Sequence, residues 1–393
     1  MEGIRQIPDF NNTELAFKAK TDRRLRQDYR LMRAVDSPFV TWLGPKLLNL
    51  AFRLRLPVEG LVRKTLFQLF GGGESIEGTI PRSEELATFG VKTILDYSVE
   101  GGNTEDGFDA TAAEIVRTLI HGGKHPQVAF CACKITGLAR NELLEKIQSG
   151  KPLDDAEKVE FQRVRIRVEK LAETAFKHKT PLFIDAEESW IQDVIDQLAE
   201  EMMEKYNRET PVIYTTVQLY RHDRRAYLEN LIEKSHQKNY LLGVKLVRGA
   251  YLEKETNRAR EMGYLNPIQP DKTATDRDYD AAVTLCLDSI AHVAFCAGSH
   301  NEASSLRLAE QMEKKNLPPS HPHIWFAQLL GMSDHISFNL AAAGYNVAKY
   351  LPYGPVKAVM PYLIRRAEEN TSIKGQSSRE VELLAKEVQR RKN

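Results

Sequence analysis

Residues 212–247 read VIYTTVQLYRHDRRAYLENLIEKSHQKNYLLGVKLV, and the fold prediction starts from this segment. Its two apolar and partly β-branched runs, Val212–Leu219 and Leu241–Val247, have the length and composition of strands. Between them, Arg224–Ser235 has apolar residues at helical spacing. Neither run alternates cleanly between apolar and polar residues, which is typical of parallel strands covered on both faces. The stretch therefore predicts a strand, a helix and a second, parallel strand.

The same alternation of short apolar runs and helical patterns extends in both directions along the chain. Eight such units in about 280 residues match the count and size of a (β/α)8 barrel. The alternative, an open doubly wound sheet, needs a Gly-x-Gly-x-x-Gly turn after an early strand, and the sequence has none. The barrel is therefore favoured. Its other predicted strands are Val91–Tyr97, Val128–Ile135, Leu182–Asp185, His292–Ala297, Ile324–Gln328 and Asn346–Tyr350, and its other predicted helices include Ala110–Leu119, Ala156–Phe176, Trp190–Tyr206, Tyr279–Ile290 and Ala303–Lys314.

The first eighty residues differ from this pattern. Leu15–Val35 and Pro45–Phe70 have helical periodicity, and Gly71–Gly73 is expected to form a flexible joint. Arginines and lysines lie between the apolar residues of Pro45–Phe70, so this helix either docks on a membrane surface or packs on the barrel with its charges solvated. The last residues of the chain are polar and charged, so we expect them to form a short exposed helix or a frayed segment. The predicted segments are a helical arm over 1–80, the barrel over 81–374 and a tail over 375–393.

Composition excludes several classes of protein. Of the 393 residues, 42% are hydrophobic and 28% charged, the balance of a globular protein. The 55 lysines and arginines nearly equal the 54 acidic residues, which argues against a nucleic-acid-coating protein. No apolar run approaches the roughly 20 residues that span a bilayer. The four cysteines include only one close pair, the Cys-x-Cys of Cys131 and Cys133, so we expect buried thiols in a reducing compartment and no metal site.

Polar side chains stand at the predicted carboxyl ends of most strands, where barrels of this kind carry their reactive groups. Each one alone is as often a structural ion pair or a helix cap. Together they predict a site, because buried charge has to be paired or used. The residues are Lys134, Asp185, Gln218, Lys245, Arg248, His300, Asn301, Gln328 and Tyr350.

The last predicted helix of the barrel carries a paired cationic motif in PYLIRRAEEN, residues 361–370. Tyr362, Arg365, Arg366 and Glu369 are spaced i, i+3, i+4 and i+7 and therefore share one face. The two arginines form a fork suited to a carboxylate or phosphate. The alternative is a solvated stripe in which Glu369 pairs with an arginine. We expect this helix to begin at the proline of the motif, because proline is favoured as a first helical residue.

Four motifs give the chain a close resemblance to the proline dehydrogenase family. They are FIDAEE from Phe183, KLVRGAY from Lys245, SHN from Ser299 and YLPYGPVKAVMPYLIRRAEEN from Tyr350. The resemblance implies a distorted (β/α)8 barrel with the final helix over the barrel mouth. It also implies flavin-dependent oxidation of L-proline to 1-pyrroline-5-carboxylate, the first step of proline catabolism, with FAD as cofactor and a quinone-type electron acceptor.

The resemblance also assigns roles to residues of the substrate site. Lys134, Arg365 and Arg366 match the cations that grip the proline carboxylate, and Asp185 is expected to hold Lys134. Two tyrosines match the residues that line the pocket for the substrate ring. The substrate-site residues are therefore Lys134, Asp185, Tyr350, Tyr362, Arg365 and Arg366.

A second set of residues matches the cofactor site of the family. Gln218 and Lys245 match groups near the isoalloxazine ring, and Lys272 matches a lysine near the pyrophosphate. Where bacterial bifunctional relatives carry arginine, this chain has Lys245, which keeps the charge and loses the bidentate fork. The full set is Asp185, Ala186, Gln218, Lys245, Val247, Gly249, Ala250, Lys272, Ser299, His300, Asn301, Gln328, Arg366 and Glu369.

Three other functions remain open at this point. Hydroxyproline dehydrogenase would use the same scaffold, although bulky Tyr350 favours unsubstituted proline. A metal-dependent or Schiff-base lyase would use Lys134 or Lys245 as its amine. A non-catalytic binding barrel would not explain why polar side chains stand at the carboxyl ends of most strands.

The partners and the compartment follow from the resemblance rather than from composition. We expect L-proline and a quinone as partners, peripheral contact with a membrane and no nucleic acid, and the sequence does not fix an oligomeric state. The expected location is the bacterial cytoplasm at the inner membrane face. The alternative is the matrix side of the mitochondrial inner membrane, although the start MEGIRQIPDF lacks the Arg-rich, acidic-poor character of a presequence.

Overall fold

The computed structural model describes residues 7–35, 60, 63–99, 103–372 and 376–392, of which 34–35, 367–372 and 376–378 are described by their backbone alone. The chain divides into two compact units. The central unit comprises Gly101–Ser299 and His321–Trp325. The terminal unit comprises Met1–Glu100, His300–Ser320 and Phe326–Asn393. The predicted division into arm, barrel and tail stays a prediction.

Eight parallel strands close into a barrel in the order β1 to β8, which confirms the predicted fold class. Alternating β and α segments produce this topology because two neighbouring parallel strands need a crossover connection. The crossover helix packs back on the sheet that the two strands form. Every run predicted as a strand forms one, with bounds shifted by a few residues at most. The strands are β1 Val91–Tyr97, β2 Val128–Cys133, β3 Leu182–Ile184, β4 Ile213–Gln218, β5 Leu242–Val247, β6 Val293–Gly298, β7 Ile324–Leu329 and β8 Val347–Tyr353.

The helices of the central unit begin at side-chain caps in several places. Thr104 caps the helix that follows β1, and Asp154 with Glu157 forms a capping box at the start of the longest one. These caps extend both helices beyond their predicted apolar cores. The helices of this unit are α5 Glu105–Gly122, α6 Asn141–Gln148, α7 Asp155–His178, α8 Ser189–Tyr206, α9 Arg224–Lys238, α10 Leu252–Met262 and α11 Lys272–Asp288.

The helices of the terminal unit include the first and last ones of the chain. They are α1 Thr13–Ala16, α2 Asp22–Val35, α3 Gln68–Phe70 (preceded by a π-helical turn at Arg63–Phe67), α4 Ile76–Ala87, α12 Glu302–Lys314, α13 Asp334–Ala342, α14 Val356–Ser372 and α15 Gln376–Arg390. A core of this unit gathers apolar side chains from both ends of the chain, including Phe17, Phe70, Val359 and Leu384.

The predicted helix Leu15–Val35 is two helices. The chain breaks between α1 and α2, and the Thr21 hydroxyl accepts a hydrogen bond from the backbone N–H of Arg24 at 3.3 Å. A threonine side chain that satisfies a first-turn N–H starts a new helix at this point. Of the predicted helix Pro45–Phe70, residues 45–59 and 61–62 lie outside the described part of the chain.

Two of the three glycines at 71–73, Gly72 and Gly73, pair with the end of β8, so the expected flexible joint is wrong. The N–H of Gly72 donates to the carbonyl of Pro352 at 2.7 Å, and the N–H of Gly354 donates to the carbonyl of Gly73 at 3.1 Å. A Cβ on Gly72 would lie 2.4 Å from Cγ of Leu351, which explains glycine at the closest approach.

Strand β8 continues beyond Tyr350, which was predicted to end it. Tyr350 pairs with Ile94 of β1, and the pairing runs on to Tyr97 and Tyr353. The strand extends because its neighbour β1 offers backbone partners as far as Tyr97. Tyr350 is therefore a buried side chain within the strand.

Helix α14 begins at Val356, so Pro361 lies inside the helix and not at its start. Proline removes one backbone hydrogen bond, here the one to the carbonyl of Lys357. Both Pro361 and Lys357 are exposed, so water can satisfy that carbonyl. The apolar side chains of Val359 and Leu363 are buried on the other face and offset the loss.

The predicted exposed tail helix exists, but it is packed against the core. In α15, Leu383 and Leu384 are 1% and 2% exposed, and Glu380 and Glu387 are buried with them. These four residues follow the i, i+3, i+4, i+7 pattern of one helix face. Because two carboxylates lie on that face, hydrophobicity alone did not predict that the face is buried. Among the residues that the structure describes, no helix is long and apolar enough to cross a membrane.

Candidate functional site

In the central unit, Asp185 and Lys245 form a buried ion pair. Asp185 directly follows β3, Lys245 lies in β5, and the Lys245 ammonium donates to Oδ1 of Asp185. The same ammonium lies 5.1 Å from the centroid of the Phe183 ring. The acidic partner of Lys245 is thus Asp185, and the expectation that Asp185 also holds Lys134 stays a prediction. The pairing arises because alternate side chains along β3 and β5 point into the barrel. Matching single residues to those of a family does not reveal that direction.

The carboxylate that acts electrostatically on Lys134 is Glu187, which sequence reasoning missed. Oε1 of Glu187 accepts a hydrogen bond from the N–H of Thr136 at 3.0 Å, and the Thr136 hydroxyl also donates to this carboxylate. Burial raises the pKa of Glu187 to about 7, against the opposing effects of the Thr136 hydrogen bond and the Lys134 charge. The signal was present in FIDAEES, where acidic residues continue beyond Asp185 into the loop.

Gln218 holds the loop that carries these acidic residues. Its amide Nε2 donates to the carbonyl of Glu187 at 2.7 Å, and the N–H of Glu187 donates to Oε1 of Gln192 at 2.7 Å. Both amide side chains are buried. The segment with Asp185 and Ala186 is thereby fixed from two sides.

Beyond β5, two cations share one carboxylate. Arg248 Nε donates to Oδ1 of Asp276 at 2.6 Å, and the Lys272 ammonium donates to Oδ2 of Asp276 at 2.5 Å. Arg248 also donates to the Ser299 hydroxyl at 2.7 Å. Partial burial opposes ionisation of Asp276, but the two cationic donors lower its pKa. Two positive charges against one negative charge leave a net positive cluster that suits an anionic group.

Gly249 stands where only glycine fits. Its φ is +143°, and a Cβ would lie 2.4 Å from the Tyr220 ring. The predicted backbone stretch from Val247 to Ala250 is therefore held close to an aromatic ring, and Ala250 itself is exposed.

In the terminal unit, three predicted cofactor residues have structural partners. His300 Nδ1 lies 2.9 Å from the Ser333 hydroxyl oxygen. Asn301 caps α12, because its side-chain oxygen accepts from the N–H of Ser304 at 3.1 Å. Gln328, buried in β7, accepts a hydrogen bond from the Ser337 hydroxyl at 2.7 Å. These contacts fix the side chains in place.

The paired arginines of α14 are half-buried, so their face is not a fully solvated stripe. The Arg366 guanidinium carbon lies 5.0 Å from the centroid of the Tyr362 ring, within the range of a cation–π contact. Tyr350 and Tyr362 are buried. Glu369 lies in the same helix, and its side chain is outside the described part of the structure.

The structure thus brings together some of the predicted site residues within each unit. Asp185 pairs with Lys245, and Arg366 contacts the Tyr362 ring. Lys272 and Ser299 are connected by hydrogen bonds through Asp276 and Arg248. In the described ranges of the chain, no group of three His, Cys, Asp or Glu side chains is arranged to hold a metal ion.

A family model and several curated proteins match this chain. The family model "Proline dehydrogenase" matches residues 79–379. The chain is 31% identical to "Proline dehydrogenase 1, mitochondrial" of Dictyostelium discoideum, over 97% of this chain and 74% of that protein. It is 34% identical to "Carbapenem antibiotics biosynthesis protein CarD" of Pectobacterium carotovorum subsp. carotovorum, over 85% of this chain and 86% of that protein.

A solved structure shares the fold. Proline utilization A from Bdellovibrio bacteriovorus matches with a TM-score of 0.72 at 19% identity over 92% of this chain. At this low identity the likeness shows the fold alone, and this chain spans 38% of that one. The family match covers most of the chain and all the residues predicted for the site. This chain belongs to the proline dehydrogenase family.

Proposed function

We propose that the chain oxidises L-proline to 1-pyrroline-5-carboxylate with bound FAD and passes the electrons to a quinone-type acceptor. The observation that carries the proposal is the family match over residues 79–379, which contains every proposed site residue from Lys134 to Glu369. Within that span, the closed barrel supplies polar side chains at successive strand ends.

The donor set of the central unit fits a flavin nucleotide. The cluster of Arg248, Lys272 and Asp276 carries a net positive charge, which suits a pyrophosphate. Lys245 is a buried cation, which suits the electron-rich end of a flavin ring. When bound, the flavin supplies the hydride acceptor that no side chain can provide. We assign the cofactor contacts to Asp185, Ala186, Gln218, Lys245, Val247, Gly249, Ala250, Lys272, Ser299, His300, Asn301, Gln328, Arg366 and Glu369.

The proposed role of this chain's cations is to bind and orient the substrate. Lys134 is half-buried, and among the described residues no carboxylate forms an ion pair with its ammonium. Such an ammonium is available to a substrate carboxylate. Arg365 and Arg366 supply two more cations, and Tyr350 with Tyr362 supplies aromatic surface for the substrate ring. A small substrate with a single strong handle needs this kind of fixation before its carbon–hydrogen bond is placed for transfer.

The function is tested by steady-state kinetics with a soluble dye as acceptor. We expect turnover of L-proline, with kcat/KM higher for L-proline than for 4-hydroxyproline, because a bulky Tyr350 in the proposed ring pocket favours unsubstituted proline. A higher value for 4-hydroxyproline would overturn the choice of substrate. Trapping of a carbonyl substrate on Lys134 by borohydride, with no dye reduction, would replace the proposal with a Schiff-base lyase.

The location of the protein follows the proposed acceptor. A quinone lies in a membrane, so we propose peripheral contact with the inner membrane, either at the cytoplasmic face in a bacterium or at the matrix face in a mitochondrion. The name of the Dictyostelium relative supports the mitochondrial alternative. Membrane quinone and the compartment both stay proposals.

A further inference from the structure

The C-terminal helix α15 contacts the loop after β7 through a buried carboxylate. Oε1 of Glu380 accepts a hydrogen bond from the backbone N–H of Ser333 at 2.5 Å. The Ser333 hydroxyl oxygen lies 2.9 Å from Nδ1 of His300, in the segment directly after β6. Three residues from three distant parts of the sequence thus form one chain of hydrogen bonds within the terminal unit.

The neighbouring residue of α15 contacts the same segment at its other end. Arg379 Nε donates to Oε1 of Glu302 at 3.1 Å, and His335 Nε2 lies 3.0 Å from that same oxygen. Glu302 is the first residue of α12 and follows His300 and Asn301 directly. Of two successive side chains of α15, Arg379 thus contacts the short segment that carries His300 directly, and Glu380 reaches it through Ser333.

The backbone of Ser333 needs this support. Its φ is +52°, in the left-handed region that costs a non-glycine residue energy, and the residue is fully buried. A buried N–H without an acceptor would add the cost of a lost hydrogen bond. Glu380 supplies that acceptor, while the Lys349 ammonium binds the carbonyl of Met332 at 2.5 Å on the other side of Ser333.

We propose that Glu380 is a positioning residue, which holds the His300 imidazole in its cofactor-binding orientation through Ser333. The inference rests on the proposed function, in which His300 contacts the nucleotide. It gives the C-terminal helix a role in cofactor binding, although the helix itself carries none of the residues proposed to contact the cofactor.

Three variants separate this role from general stability. Glu380→Gln keeps an acceptor for the Ser333 N–H, whereas Glu380→Met has similar length and no acceptor. Glu387→Met is the matched control, because Glu387 is buried on the same helix face but pairs with Arg390 and Arg391. The FAD dissociation constant is measured by titrating apoprotein, well below the unfolding temperature of each variant.

We expect Glu380→Met to weaken FAD binding by roughly ten- to a hundredfold, because a buried donor loses its acceptor and His300 its anchor. The FAD dissociation constants of Glu380→Gln and Glu387→Met should stay within about threefold of that of the unmodified protein. For Glu387→Met this should hold even if its melting temperature falls as far as that of Glu380→Met. The effects of Glu380→Met and His300→Ala should also be less than additive, since both act on one contact.

Each other outcome has a distinct meaning. Unchanged FAD binding in Glu380→Met, equal weakening in Glu387→Met, or full additivity with His300→Ala overturns the positioning role and leaves the proposed function intact. If the unmodified protein binds no FAD, the proposed function fails, and the positioning role falls with it.

Discussion

At the scale of single residues, the decisive groups are the cations assigned to the substrate carboxylate. Arg366 is half-buried against Tyr362, and Lys134 shares its surroundings with the buried Glu187. A charge-assisted contact in such surroundings is stronger than one in water, because the competing solvent is reduced. These residues should therefore affect substrate binding more than the chemical step.

The first prediction concerns Arg366. We expect Arg366→Met to raise KM for proline sharply and to reduce kcat/KM by an amount equivalent to about 2–4 kcal/mol, the effect of removing one partner of a buried charged pair. The measurement is steady-state kinetics with a soluble dye. Arg117→Met, at a side chain that is 67% exposed, is the control and should change neither constant. An unchanged kcat/KM in Arg366→Met would remove this residue from the site.

The second prediction concerns Glu187 and pH. Burial raises its pKa to about 7 from an ordinary 4.5, so the folded state holds the proton more tightly than the unfolded state does. Its contribution to stability is complete below the unfolded pKa and is lost as the pH rises through about 7. Glu187→Gln removes this loss. The variant's melting temperature, relative to the unmodified protein, should rise between pH 5 and pH 8, which thermal unfolding across about that range checks.

Glu209→Gln provides the comparison for this experiment. Glu209 is an exposed carboxyl of the same unit. The melting-temperature difference of this variant should stay flat with pH. A flat profile for Glu187→Gln as well would contradict the proposed protonation of Glu187.

The polar residues at the strand ends could be read from the sequence, but their structural partners could not. Asp185 was recognised as a strand-end acid, yet its cation is Lys245. The choice between Lys134 and Lys245 depends on which side chains point into the barrel from neighbouring strands. A shift of one residue in strand register reverses that direction, and motif matching does not determine register.

At the scale of elements, the strands were predictable and the terminal helices were not. The strands combine β-branched runs with helical crossovers, so periodicity and length agree. Helix α15 breaks this agreement, because Glu380 and Glu387 occupy core-facing positions and are satisfied by Ser333 and by arginines. Helix α14 likewise contains Pro361, which only tertiary packing makes acceptable.

The third prediction concerns the arm. Residues 45–59 lie outside the described structure, whereas Phe67 and Phe70 belong to the core of the terminal unit. A deletion should therefore remove 45–59 and keep the segment from 63 onward. We expect this variant to lose activity with quinone embedded in liposomes and to keep activity with a soluble dye, because a basic amphipathic segment binds at the lipid surface.

A matched variant tests whether charge is the reason. Replacing Arg53 and Arg55 with glutamine keeps the length of the arm and removes positive charge. It should reduce the liposome activity in the same direction, with less effect at high salt, since screening already weakens the attraction. Equal activity of the deletion variant in both assays would contradict a role for the arm in quinone access.

At the scale of the whole molecule, a closed parallel barrel collects its strand ends at one face, and the family match spans all eight of its strands. The net charge of +1 gives no long-range attraction for an anionic substrate, so recognition must be local. The proposed activity therefore depends on a few buried or half-buried cations together with a bound flavin. Composition could predict the class of protein, whereas the reaction followed only from the four motifs that carry the family resemblance.

The most direct test of this account is the visible absorbance spectrum of the purified holoprotein, recorded without oxygen or dye before and after adding L-proline. We expect the bands of an oxidised flavin, and their bleaching by proline at a stoichiometry of about one substrate per flavin, because the flavin accepts one hydride. Flavin bands that proline leaves unchanged, or a protein that stays colourless after incubation with FAD, would contradict it.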